Sequence, residues 1–230
     1  MRLSIIIPTY REAKKISVLV EYLLGLDTNG ECEVIVSDGG SDDDTIAIAA
    51  KAGAIAVKAP EKGRAAQMNY GASFATGDIL YFVHADTFPP AAFILDIQKS
   101  VEEGYSIGRY QTRFNSRKFV LRLNAFFTRF DWFMCYGGDQ TLFIEKKVFD
   151  AVGGFNAHMY IMEDYEIIER AKKMAKYKVL PGKALVSARK YETNSWLAVQ
   201  KANYTIVQMY KKGASQQDMV RKYKELLDYR

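Results

Sequence analysis

The 230-residue chain is 49% apolar and 26% charged, proportions of an ordinary globular protein with a real core, in one large domain or two small ones, and not of a disordered chain. No window approaches the ~20 apolar residues of a transmembrane helix, the apolar run in MRLSIIIPTY is short for a signal peptide and is cut by Pro8, and Cys32 and Cys135 fit no metal or redox spacing. The net charge of +5 comes with no recognisable nucleic-acid motif, which argues against a nucleic-acid partner, while the sparse, distant cysteines make a reducing cytoplasm the expected location.

The first half alternates two periods. LSIII (3–7) reads as a strand, and Ile16, Leu19, Val20, Leu23 and Leu24 recur at the spacing of a core-facing helix. EVIVSD (33–38) is the next strand, TIAIAAKA (45–52) a helix and AIAVKA (54–59) a strand. RAAQMNYGASFA (64–75) has helical composition, DILYFV (78–83) is the fourth strand, and Pro90 opens another helix, where its missing N–H costs nothing. Such alternation predicts an α/β fold with a mostly parallel sheet covered on both faces.

After residue 104 the pattern loosens. SIGRYQTRF (106–114) alternates like a strand, 118–130 reads as helix, QTLFI (140–144) as strand, 164–177 as an amphipathic helix and KALVSA (183–188) as a late strand. The last 35 residues read as helix, broken near Gly213. The predicted organisation is one domain over 1–195, with a nucleotide-binding half at 1–103 and an acceptor half at 104–195, followed by a basic helical tail at 196–230.

Positive charge is unevenly placed. The tail holds seven Lys or Arg against three Asp or Glu, and the stretch from Arg109 to Arg129 contains six basic residues and no acid. Either stretch can be a solvated face; each also suits a phosphorylated ligand or an anionic membrane surface. In the tail, Trp196, Leu197, Ile206, Val207, Met209 and Tyr210 lie near lysines, a mix that can rest on a bilayer and meet a lipid-linked acceptor, or pack onto the domain.

A parallel sheet gathers ligands at the carboxyl ends of its strands. Here those ends carry Pro8-Thr9-Tyr10-Arg11-Glu12, Asp38-Gly39-Gly40-Ser41, Glu61-Lys62-Gly63-Arg64 and His84-Ala85-Asp86. No P-loop GxxxxGK[ST] and no GxGxxG follow the first strand. An edge lined with carboxylates repels bare phosphate, so a phosphorylated ligand there needs a bridging cation. Asp86 is placed to hold Mg²⁺ or Mn²⁺, and His84 shares its side-chain parity as a second candidate ligand. Each residue also has a plain structural reading: Asp38 as a turn former, Asp86 as a helix cap, His84 as a core histidine, and Arg64 as a cation set against a helix dipole.

In order, SIIIPTYREAKKI, EVIVSDGGSDDDT, GRAAQMNYGASFATGDILYFVHADTFPP, GGDQTLFIEKKVFDAVGGF and MEDYEIIERAKK resemble the family 2 glycosyltransferases of the GT-A fold. More narrowly, the chain resembles their radical-SAM/selenodomain-associated subgroup. That resemblance implies an inverting transferase acting on a nucleotide-diphosphate sugar. It puts Pro8, Thr9, Tyr10, Glu12, Asp38, Gly39, Gly40, Arg64, Gln67, Ala85 and Asp86 around the donor. The DxD metal motif of the family falls on His84-Ala85-Asp86, a departure at its first position. The catalytic-base pair falls on Glu163-Asp164; as residues, a carboxylate there can take the acceptor proton or cap its helix. Asp139 and Gln140 fall on the acceptor side, and Arg189 is a candidate to neutralise diphosphate. Two rivals remain at this level: a nucleotidyltransferase, and a sugar-nucleotide-binding protein without transfer activity.

Overall fold

The computed structural model describes residues 1–137 and 140–228. Strands β1 (Leu3–Thr9), β2 (Cys32–Asp38), β3 (Ile55–Lys58) and β4 (Ile79–Phe82) alternate with helices α1 (Ile16–Gly25), α2 (Thr45–Lys51) and α3 (Arg64–Ala72). All pairings among these four strands are parallel. After the two-residue β5 (Thr87–Phe88), α4 starts at Phe93 and ends at Glu102. It begins three residues later than Pro90, whose carbonyl instead closes a turn with the Phe93 N–H.

The second half adds β6 (Ile107–Phe114), α5 (Phe119–Phe127), β7 (Leu142–Glu145), α6 (Lys146–Ala151), α7 (Glu163–Ala171), β8 (Tyr177–Val186), α8 (Lys190–Thr193), α9 (Trp196–Lys211) and α10 (Gln216–Leu226). The described residues form one eight-stranded sheet in the order β3-β2-β1-β4-β7-β6-β8-β5. Strand β7 enters antiparallel to both neighbours, and β5 is antiparallel to β8. The helix expected over 164–177 stops at Ala171, because Tyr177 onward pairs with Ile107 onward. The late strand therefore starts well before residue 183. It carries Pro181-Gly182 as an irregularity, since the pairing steps from Tyr110–Leu180 to Gln111–Lys183.

Strand parity divides the core. Leu3, Ile5, Ile7, Ile79, Tyr81 and Val83 join one cluster with α1 and α4, while Ile6, Leu80 and Phe82 join the opposite one with α3, α6 and α7. Both faces are dry, which is why these strands read as continuous apolar runs. Gly71 of α3 lies so close to β1 that a Cβ there would be 2.6 Å from Ile6 Cγ2.

A third cluster ties the tail to the domain. Val199, Ala202, Ile206 and Val207 of α9 and Met219 and Tyr223 of α10 pack with Leu121, Met159, Met162 and Tyr191. Gly213, at φ 71, makes the turn between the two helices. Of the two readings of the tail's apolar residues, packing onto the domain is seen for five of the six: Ile206 and Val207 are 2% exposed, Trp196, Met209 and Tyr210 pack against the same cluster, and Leu197 points outward. No helix of the described residues is long and apolar enough to cross a membrane.

Candidate active site

The first two loops are fastened from below. The Gly39 N–H donates to the Thr9 carbonyl (2.9 Å), and the Thr9 hydroxyl donates to Asp38 Oδ2 (3.2 Å). Gln67 Nε2, on α3, donates to the carbonyls of Thr9 (2.7 Å) and Ser37 (2.9 Å). Asp38 is fully buried; its Oδ1 accepts from the N–H groups of Gly40 (2.9 Å) and Ser41 (2.7 Å), and its Oδ2 from the Ser41 hydroxyl (2.5 Å). Gly40 takes φ +87, which favours glycine. The side chains of Thr9, Asp38 and Gln67 are thus builders of the loops. The Asp38 carboxylate is enclosed with both oxygens engaged inside its own loop.

An aromatic ring and several charged side chains stay on the surface of this edge. The Tyr10 ring is 47% exposed, with the Arg11 guanidinium 5.3 Å and the Lys62 ammonium 5.9 Å from its centroid. Such a ring is a stacking platform for a base. Arg11 adopts φ 56, unusual for a side-chain-bearing residue, and is held there by its N–H on Ser41 Oγ (2.7 Å) and a bidentate grip on Asp42 (2.6 Å twice). Hydrogen bonding from that guanidinium pulls the Asp42 carboxyl below the usual range. Backbone strain of this kind concentrates where a loop must hold one shape. Pro8 is half-buried inside β1, opposite Ser37.

At the end of β4, His84 and Asp86 are half-buried while Val83, Ala85 and Thr87 are buried, the alternation expected from the sequence. The Thr87 N–H closes a turn on the His84 carbonyl (3.0 Å). Ala85, with its side chain covered, can offer a ligand only its backbone. Arg189, just past β8, places Nε 3.1 Å from Asp86 Oδ2 and Nη1 3.2 Å from Glu12 Oε1. One guanidinium therefore joins the first loop, the β4 turn and the end of the late strand. Glu12 is fixed further by its N–H on Thr45 Oγ1 (2.9 Å).

A metal would find a carboxylate and an imidazole here. Among the described residues no group of three or more His, Cys, Asp or Glu side chains is gathered to hold an ion. The donor set therefore fits a divalent cation whose remaining positions come from ligand phosphates and water, with the imidazole favouring Mn²⁺ over Mg²⁺.

The Glu163-Asp164 pair lies in the first turn of α7, where acids complement the helix dipole. Met162 before it sits at φ 70, a left-handed corner that turns the chain into the helix. Glu163 is 3% exposed and its Oε1 lies 3.0 Å from Arg64 Nη1. Arg64 thus answers to Glu163, a partner the sequence did not reveal. Asp164 is 8% exposed. Burial, and then the charge of Asp164, push the neighbouring Tyr165 phenol upward. A side chain at Gly137 would overlap the Tyr165 ring, so Gly137 lies against α7. Gln140 donates from Nε2 to the Cys135 carbonyl (2.5 Å); Asp139 lies outside the described residues.

Helix α3 connects the two groups: Gln67 holds the loops, and one turn earlier Arg64 holds Glu163. Two of the contributors escaped sequence reasoning as partners. Arg189 carried no local signal beyond following a strand, and the Arg64–Glu163 pair spans 99 positions. Cys32 is buried and its thiol is pushed up to about 12 by burial, which removes it from chemistry.

The model of the family "Glycosyl transferase family 2" matches residues 4–165. No curated protein matches the sequence. Among solved structures, residues 1–349 of S. aureus TarS with UDP-GlcNAc align at 19% identity and TM-score 0.68, covering 82% of this chain and 59% of that one. A mannosyltransferase, PcManGT of Pyrobaculum calidifontis, with GDP-Man and Mn²⁺, aligns at 16% identity and TM-score 0.71, covering 98% and 69%. Glucosyl-3-phosphoglycerate synthase of Mycobacterium tuberculosis, with Mn²⁺, UDP and glucosyl-3-phosphoglycerate, aligns at 17% identity and TM-score 0.63, covering 93% and 80%. The chain thus spans 59% of the TarS chain it resembles, and at these identities the likeness is one of fold.

Proposed function

The chain belongs to glycosyl transferase family 2, and from that premise we propose that it moves a sugar from a nucleotide-diphosphate sugar to an acceptor hydroxyl, with inversion at the anomeric carbon. The observation that carries this reading is the junction of Glu12, Arg189 and Asp86 at the carboxyl edge of β1 and β4. It supports the reading by joining carboxylates and a cation at the edge where, in this proposal, the diphosphate binds. Donors of the kinds bound by the three structural relatives, carrying UDP or GDP, are the first to try.

In this reading Tyr10 stacks on the base, the Gly39–Ser41 backbone and Glu12 hold the nucleoside, and Lys62 and Arg189 face the diphosphate. A divalent cation held by Asp86 and His84 would supply further charge neutralisation to the leaving diphosphate. The acceptor oxygen bonds to the anomeric carbon as the bond from that carbon to the diphosphate oxygen breaks. The acceptor proton passes to the Asp164 carboxylate, and the electron pair leaves with the diphosphate. Glu163, neutralised by Arg64, positions that helix turn. Residues 1–103 are then the donor half, 104–195 the acceptor half and 196–230 a support for the α7 corner. Within the family we place the chain beside the radical-SAM/selenodomain-associated transferases on its sequence blocks.

The test is release of nucleoside diphosphate from a panel of sugar nucleotides. Wild type should release it, and Asp164→Asn should lose about 10²–10⁴-fold in rate while keeping donor affinity. Release of pyrophosphate from a nucleoside triphosphate and a sugar 1-phosphate, with no nucleoside diphosphate released from any sugar nucleotide, would favour a nucleotidyltransferase; donor binding with no release on any acceptor would favour a binding protein.

A further inference from the structure

Helix α5 is built inside out. Its apolar residues Phe119, Leu123, Phe126 and Phe127 fall at the i, i+4, i+7, i+8 spacing that ordinarily faces a core. Instead they are 73%, 44%, 45% and 40% exposed, while Leu121, on the other side, is the helix's buried residue. The stripe continues past the helix into Trp132 and Met134, 52% and 51% exposed. Trp132 stacks on Phe130 with ring centroids 4.6 Å apart. A patch this continuous marks an interaction site.

Its charge says what it meets. Exposed Arg113, Arg117, Arg122 and Arg129 border the stripe, and Arg129 lies 3.9 Å over the Phe126 ring. From residue 104 to 130 the sequence has no acid. The next one, Asp131, is paired with Lys172 at 2.6 Å. Arg109 does not belong to this surface: it is buried and donates to the carbonyls of Thr128 (2.7 Å) and Phe130 (3.0 Å), closing the carboxyl end of α5. The helix is thus fixed to the sheet at its end while its apolar side stays outward. Two copies meeting through this face would bring like charges together. An aromatic stripe flanked by arginines is instead what the interface of an anionic bilayer accommodates.

The surface also leads to the site. A groove of ≈ 780 Å³ along α5 shares Asn115 and Leu185 with the ≈ 240 Å³ cleft that reaches Asp86. We propose that α5 and the 130–134 segment dock this protein on an anionic lipid bilayer. The docking face is this one, not the tail, and the groove opens the donor site toward the membrane. Membrane binding is read without activity, so it stands or falls independently of the transfer reaction.

The experiment is co-sedimentation of the full chain with vesicles of phosphatidylcholine alone and of phosphatidylcholine mixed with phosphatidylglycerol. Wild type should bind the mixed vesicles, bind neutral ones weakly, and be released by salt. Arg117→Glu/Arg122→Glu should lower partition by about fivefold or more per residue, and Phe119→Ser/Phe126→Ser should abolish it at every salt concentration. Both variants alter exposed side chains and should melt like wild type. Lys211→Glu/Lys212→Glu, in the tail, should bind as wild type does. Absence of binding to mixed vesicles, equal binding to both kinds, wild-type binding by the α5 variants, or loss confined to the tail variant would each overturn the proposal. So would a dimer in light scattering that Phe119→Ser/Phe126→Ser dissociates, since the face would then join two copies.

Discussion

Arg189 Nε lies 3.1 Å from Asp86 Oδ2, so the carboxylate that would meet a metal already faces a cation. The two must share it. Removing the guanidinium, in Arg189→Ala, should let Mn²⁺ bind the ligand-free protein up to about fivefold tighter, the value of an exposed ion pair. The same change should weaken nucleoside diphosphate binding. Manganese titration followed by electron paramagnetic resonance reads the first effect and calorimetry the second; weaker Mn²⁺ binding in the variant would show that the pair is not in competition.

The Arg64–Glu163 pair is one-sided in burial: Glu163 side chain 4% exposed, Arg64 35%. Arg64→Met leaves a buried carboxylate without its partner. It should cost about 1–3 kcal/mol, below the range for a fully enclosed pair because Arg64 is partly in water. Turnover should fall with it, since Glu163 and Asp164 share a helix turn. Chemical denaturation beside a rate measurement checks both; unchanged stability would mean that Glu163 finds another donor.

Gln67 should behave as scaffold, not ligand. Gln67→Leu keeps the volume but strips two N–H donors from the carbonyls of Thr9 and Ser37. A loss of about 1–3 kcal/mol in stability is expected, with donor affinity falling because two loops loosen together. A large affinity loss at unchanged melting temperature would instead make Gln67 a direct contact.

Much of the site was legible because it sits where periodicity is strict. The parity of β4 sets His84 and Asp86 apart from Val83 and Ala85, and dry strands on both faces announce a parallel sheet. What escaped are contacts made by folding alone. Arg189 reaches Glu12 across 177 positions, and nothing near it in sequence names that partner. Residues 172–177 look helical until Tyr177 is claimed by Ile107. The stripe of α5 has the spacing of a core face, and sequence alone does not tell which side of a helix is covered. Asp38 reads in sequence as a base contact or a turn former, and the hydrogen bonds that fasten its carboxylate to Gly40 and Ser41 are made by folding of the loop itself.

Acid should weaken the protein partly through Glu33. Burial acts to raise its pKa, but the Ser4 hydroxyl (2.6 Å) and the Thr76 N–H (2.7 Å) and hydroxyl (2.9 Å) outweigh it and hold it low. A depressed carboxyl contributes stability above its unfolded value of about 4.3, and loses it as pH falls through the folded value. Glu33→Gln should therefore be less stable than wild type by about 0.5–1.5 kcal/mol at neutral pH. The gap should close below about pH 4 as wild type takes up its proton. Denaturation across pH tests the sign; a gap that is constant with pH would remove the charge from the explanation.

The most direct test of the donor site is calorimetric titration with UDP and GDP, each with and without Mn²⁺, on wild type and Asp86→Ala. One nucleotide should bind wild type with clear dependence on Mn²⁺, and Asp86→Ala should lose at least about tenfold of that metal-dependent affinity. Binding that ignores both Mn²⁺ and Asp86, or no binding of either nucleotide, would contradict a metal-assisted diphosphate site at the end of β4.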